Sequence, residues 1–95
     1  MDLKTIKHKL ESHKAELVHR FGIRELGVFG SYARGEQKKG SDVDILVEFS
    51  TVPGLQFAAL ELTLEGMLGA KVDLVRKKTI RPELRESILR DVVYV

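Results

Sequence analysis

Apolar residues recur at Leu3, Ile6, Leu10, Leu17 and Phe21, the spacing of one helical face, with Asp2 placed to cap the start and Gly22 to end it. The pattern predicts a helix over Leu3–Arg20. Glu25 to Phe29 is apolar and branched enough for a short buried strand closed by Gly30. Ser31 then stands as the cap of a short helix reaching about Arg34, with Gly35 as its stop. After a polar loop, Gln37–Gly40, the period changes to two. Val43, Ile45, Val47 and Phe49 alternate with Asp42, Asp44, Leu46 and Glu48, which predicts a strand with one apolar face and both acids on the other. From Pro53-Gly54 to Leu68 a helix is expected with two apolar stripes, Leu55, Ala58, Ala59 and Leu62 on one side and Phe57, Leu60, Leu64, Met67 and Leu68 on the other, stopped by Gly69. Lys71–Arg76 reads as a third strand. Pro82–Arg90 fits a helix with Pro82 in its first turn and Leu84 and Ile88 inward, and Asp91–Val95 a terminal strand. The order α-β-α-β-α-β-α predicts an α/β (α+β) fold, a small sheet backed by helices.

Ninety-five residues suffice for one modest core, so a single domain spanning 1–95 is expected. With 43% hydrophobic and 32% charged residues the composition is that of an ordinary globular protein. No apolar run approaches the ~18 residues of a membrane span, and the charged helical pattern after Met1 is not a signal peptide. The absence of cysteine excludes disulfides and thiolate metal sites and fits a cytoplasmic protein. A formal charge of +2 is too small to argue for duplex binding, and one domain leaves no space for a separate nucleic-acid reader. The distribution of charge says more. Arg34, Lys38 and Lys39 lie inside the segment that carries Asp42 and Asp44, and Arg76, Lys77, Lys78 and Arg81 follow the third strand. Positive charge near a carboxylate cluster suits a polyanionic substrate brought in with its metal, although a Lys77-Lys78 run is most often a solvated turn.

The chemistry concentrates in Gly30-Ser31, ten residues, and then Asp42-Val43-Asp44. A helix start preceded by glycine offers unpaired backbone N–H groups to an anion; the plainer reading is a strand-helix turn with a serine cap. Gly30 to Gly35 also mimics the start of a P-loop, but Glu36 and Gln37 stand where that loop needs Lys and Ser or Thr. Asp42 and Asp44, two apart on a strand, share a face with Cα atoms roughly 6.6 Å apart. Their repulsion asks for a cation, and hard oxygen ligands favour magnesium or manganese. Asp73 is a third acid, between Val72 and Leu74 in a strand that could lie alongside. Together the three look like a two-metal phosphoryl-transfer site. His8, His13 and His19 have no i, i+4 pair among them and read as surface or packing residues, His13 marking a wet edge on the apolar stripe of the first helix.

GSYARG followed by SDVDILVEF, with a later strand carrying a lone Asp73, resembles the minimal nucleotidyltransferases of the DNA polymerase beta superfamily, the MNT antitoxin group. The resemblance runs through most of the chain, from the leading helix to Val93-Tyr94-Val95, and implies the polymerase beta-like nucleotidyltransferase fold with a mixed β-sheet. It implies that Gly30 and Ser31 hold the triphosphate of ATP, that Asp42 and Asp44 ligate Mg2+ (two ions, with Mn2+ an alternative), and that Asp73 completes the second metal site and helps activate the attacking hydroxyl. Arg34 is a candidate phosphate contact, with a solvated helix-end arginine as the plainer reading. The group is similar in moving AMP from ATP to a hydroxyl of a partner, commonly a tyrosine of a HEPN-domain toxin. A non-catalytic module that neutralises its partner by contact is the alternative. The second stripe of the 54–68 helix is a candidate surface for that partner or for a second copy.

Overall fold

The computed structural model describes residues 1–95 as helices α1 (Leu3–Ser12) and α2 (Lys14–Phe21), strand β1 (Ile23–Phe29), a short α3 (Gly30–Arg34), β2 (Val43–Phe49), α4 (Gln56–Leu68), β3 (Val72–Arg76), a 3-10 turn (Lys77–Thr79), α5 (Pro82–Asp91) and β4 (Val93–Tyr94). The expected first helix is thus two. At His13 the backbone N–H bonds Leu10 O rather than Lys9 O, because the His13 ring Nδ1 lies 2.9 Å from Lys9 O; Ser12 Oγ also donates back to His8 O at 2.8 Å. Such side-chain bonds to the preceding turn bend helices. β1 also begins two residues earlier than the pattern indicated, its register shifting between Ile23 and Glu25.

The sheet order is β3-β2-β1-β4, with β1 antiparallel to β2 and β4, and β2 parallel to β3 across the α4 crossover. The predicted mixed sheet is therefore present. On one face Ile6, Leu10, Leu17, Phe21, Leu60, Leu64 and Leu68 pack against Leu26, Val28, Val43, Ile45 and Val47. Burial of each such side chain contributes roughly 1.5–3 kcal/mol. The stripe of α4 carrying Leu60, Leu64 and Leu68 is thus core, while Leu55 and Leu62 stand 91% and 69% exposed.

β2 is not apolar on one face alone. Leu46 is fully buried with Phe29 and Ile80 in a second cluster, against which Ile88, Leu89 and Val92 of the α5 segment pack. α5 therefore covers the face that also carries the acids, and Gly27 makes room for it: a Cβ there would meet Val92 Cγ1 at 2.7 Å. Leu84, expected inward, is 49% exposed, because the inward side of α5 is formed by Ile88 and Leu89.

Candidate active site

Strand register brings the distant parts of the site together. Phe29 pairs with Asp44 across the antiparallel β1–β2 ladder, and Asp44 pairs with Asp73 across the parallel β2–β3 ladder. Neighbouring strands lie about 4.8 Å apart, so the end of β1, Asp44 and Asp73 form a row of three adjacent positions. Asp42 precedes β2 and is exposed, Asp44 is half-buried and Asp73 is exposed. The three carboxylates meet at one end of the sheet without closing round a common point.

Gly30 has φ +71°, and a Cβ there would run into the Asp44 carboxylate, with Cγ only 2.9 Å away. Glycine is therefore required twice, for the left-handed backbone and for the approach of Asp44. α3 begins at Gly30, one residue before the expected Ser31 cap, and no side chain caps it. Its five residues make a weak macrodipole, so a phosphate at this turn would rely on individual backbone N–H groups and the Ser31 hydroxyl.

Burial, the charge of Asp73 and the charge of Asp42 push the Asp44 carboxyl up to about 6, with Arg34 pulling the other way. Arg34 is itself engaged: Nε donates to Glu36 Oε1 at 2.7 Å and Nη1 to Asp91 Oδ2 at 2.7 Å, while Nη2 makes no hydrogen bond. These two carboxylates hold the guanidinium charged. Asp91 is a neighbour that sequence spacing does not reveal, since nothing about the last residue of α5 marks it as facing α3. Crowded carboxylate oxygens, with the nearest cation already paired, form a donor set that fits a divalent cation such as Mg2+.

The second group of positive charges lies elsewhere. β3 runs away from Asp73, placing Arg76 opposite Val47, so Arg76, Lys77 and Lys78 lie at the other end of the strands rather than beside the acids. Lys77 there bonds Glu25 and is no solvated turn residue. The structure's single cavity lies at that far end too, and none of the candidate residues lines it.

Residues 10–95 match the family model of the nucleotidyltransferase domain. The chain belongs to the nucleotidyltransferase family. The protein adenylyltransferase MntA of Thermococcus cleftensis is 52% identical over 96 residues, covering all of this chain and 97% of the relative. A solved structure described as a minimal nucleotidyltransferase superposes with a TM-score of 0.82 at 42% identity, over 98% of this nucleotidyltransferase and 95% of that chain. A chain in the crystal structure of a toxin-antitoxin with AMP-PNP matches with a TM-score of 0.71 at 25% identity, over 88% and 70% of the two chains. This nucleotidyltransferase is thereby an enzyme of the minimal type, and no helix in it is long and apolar enough to cross a membrane.

Proposed function

We propose that residues 1–95 act as one domain that transfers AMP from ATP to a hydroxyl of a partner protein in the cytoplasm, silencing a HEPN-domain toxin as the antitoxin of a pair. The observation that carries the reading is the row formed by the end of β1, Asp44 and Asp73 on adjacent strands, with Gly30 following directly from β1 against the Asp44 carboxylate. It is supported by the 52% identity to a protein adenylyltransferase and by the likeness to a toxin-antitoxin chain crystallised with AMP-PNP.

Each residue has a distinct task in this proposal. Gly30 lets the triphosphate approach the backbone, Ser31 donates its hydroxyl, and the uncommitted Nη2 of Arg34 reaches a phosphate oxygen. Asp42, Asp44 and Asp73 would hold Mg2+, two ions in all. Bound there, the cations would neutralise the triphosphate and favour departure of diphosphate. Asp73, exposed on the outer of the two acid strands, accepts the proton of the acceptor hydroxyl as its oxygen attacks the α-phosphorus. The outer stripe of α4, with Leu62 and with Leu55 just before its start, supplies contact to the partner.

The test is label transfer from α-phosphate-labelled ATP to the purified partner, with Mg2+ and with chelator. Transfer that requires Mg2+, is lost in Asp44→Asn and is strongly reduced in Asp73→Asn supports the assignment. Asp73→Asn should keep ATP binding within roughly tenfold, about 1.4 kcal/mol. Neutralisation of the partner without any label incorporated would instead identify a contact-only module.

A further inference from the structure

At the end of the sheet opposite the acids, a cavity of about 250 Å3 is lined by Arg24, Glu25, Glu48, Lys77, Lys78 and Arg85, with no apolar side chain among them. Glu48 and Asp44 lie on the same strand four positions apart, about 13 Å. The cavity is therefore separate from the candidate active site.

Both acids of this cavity are already satisfied. Glu25 accepts Lys77 Nζ at 3.0 Å. Buried Glu48 accepts the Phe49 N–H at 2.9 Å, the Lys78 N–H at 2.8 Å and Arg76 Nε at 3.1 Å. Apart from Lys77, the cations are not satisfied. Arg85 gives Nη1 to Lys77 O at 3.0 Å and keeps its other donors, while the side chains of Arg24 and Lys78 make no hydrogen bond or ion pair. Four cations against two acids give an excess of two positive charges, equal to the formal net charge of the whole chain. The rest of the molecule is thus neutral in balance, and its surplus charge is concentrated in one concave place, where field lines focus.

The lining also limits the ligand. Sites for organic molecules are usually about 300–1,000 Å3 and lined mostly by apolar residues; this one is smaller and has no apolar or aromatic residue in its lining. Charged donors on several walls fit a compact anion with oxygens on several sides. We propose that this groove binds a phosphate-class oxyanion, either free phosphate or diphosphate or the phosphate end of a larger molecule, at a site distinct from the Asp42, Asp44 and Asp73 cluster.

Amide-resolved NMR titration of the full chain tests the proposal, using inorganic phosphate, inorganic diphosphate and a simple phosphate monoester at constant ionic strength without divalent metal. The expected result is saturable shifts at the amides of Arg24, Lys78 and Arg85, unchanged in Asp44→Asn. Affinity should fall about tenfold or more in the triple variant Arg24→Gln, Lys78→Gln, Arg85→Gln. Arg24→Gln alone, at an exposed residue bonded to nothing, should show a smaller loss and serves if the triple variant misfolds. Preference for diphosphate over the monoester would identify the free anion as ligand, and equal binding the phosphate end. Shifts that rise linearly, that sodium chloride reproduces, or that persist undiminished in these variants would overturn the site. Shifts at Gly30 and Ser31 report on the other site and leave this question apart.

Discussion

Arg34 and Asp91 are 57 positions apart in the chain and joined by a 2.7 Å ion pair that ties the start of the motif loop to the end of α5. The pair, with Glu36, fixes where the one cation near Asp44 points. Asp91→Asn should therefore leave the thermal midpoint almost unchanged, as expected for a largely exposed pair, yet raise the KM for ATP several-fold with kcat less affected. Steady-state kinetics on the two proteins checks this; a drop confined to kcat would separate Arg34 from nucleotide binding.

Asp44 should oppose the fold when no metal is bound. Its carboxyl sits at about 6 in the folded chain against 3.8 for the ordinary group, so the folded state holds the proton more tightly. The resulting stabilisation is complete below pH 3.8 and lost as the pH rises through about 6. The unscreened magnitude of about 3 kcal/mol shrinks to about 1 kcal/mol for a half-exposed group. In chelator at pH 7–8 Asp44→Asn should then melt about 4–8 °C above the wild type, with the gap closing toward pH 4. Mg2+ should raise the wild-type midpoint and not the variant's. Melts across this range decide it, and a variant less stable than wild type at pH 8 would refute the repulsion.

Gly30 and Asp44 should be energetically coupled. Gly30→Ala places a Cβ at positive φ and against the Asp44 carboxylate, at a cost of about 1–3 kcal/mol from the backbone alone. In an Asp44→Ala background the clash with the carboxylate is removed, leaving the backbone cost and a 3.2 Å approach to the Cβ at position 44. A double-mutant cycle in urea should give a coupling of about 0.5–3 kcal/mol; strict additivity would show that the two side chains do not meet.

Neighbouring leucines of α4 should behave oppositely. Leu64 is fully buried and Leu62 is 69% exposed, so Leu64→Ala should cost about 2–5 kcal/mol and Leu62→Glu less than about 0.5 kcal/mol. If the outer stripe receives the partner, Leu62→Glu also weakens co-purification of the two proteins while the melting curve stays in place. Unaltered co-purification would move the contact to another face.

Much of this arrangement is legible in the sequence because it rests on local rules. Two-residue alternation put Asp44 on a strand, and a lone acid between Val72 and Leu74 pointed to a neighbouring one; the register Asp44 to Asp73 agrees. What escaped the pattern depends on tertiary placement. The apolar period runs through His13 unbroken, whereas the helix breaks there because side chains take carbonyls the backbone would use. Leu46 and Glu48 looked like the polar-side partners of Val47, and only the position of α5 and the 3-10 turn buries them. Arg76 to Lys78 follow Asp73 closely in sequence, but an extended strand carries them to the other end of the sheet.

Asp44 and Asp73 face each other only because β2 and β3 run parallel, and parallel neighbours need a connection that returns over the sheet. Here that return is α4, seated on the opposite face through Leu60, Leu64 and Leu68. The parallel pairing of the acids is accordingly supported from behind, by leucines on the face of the sheet away from them. α4 works as the spine of a caliper: its buried leucines brace from behind the strand pair that sets the two acids side by side.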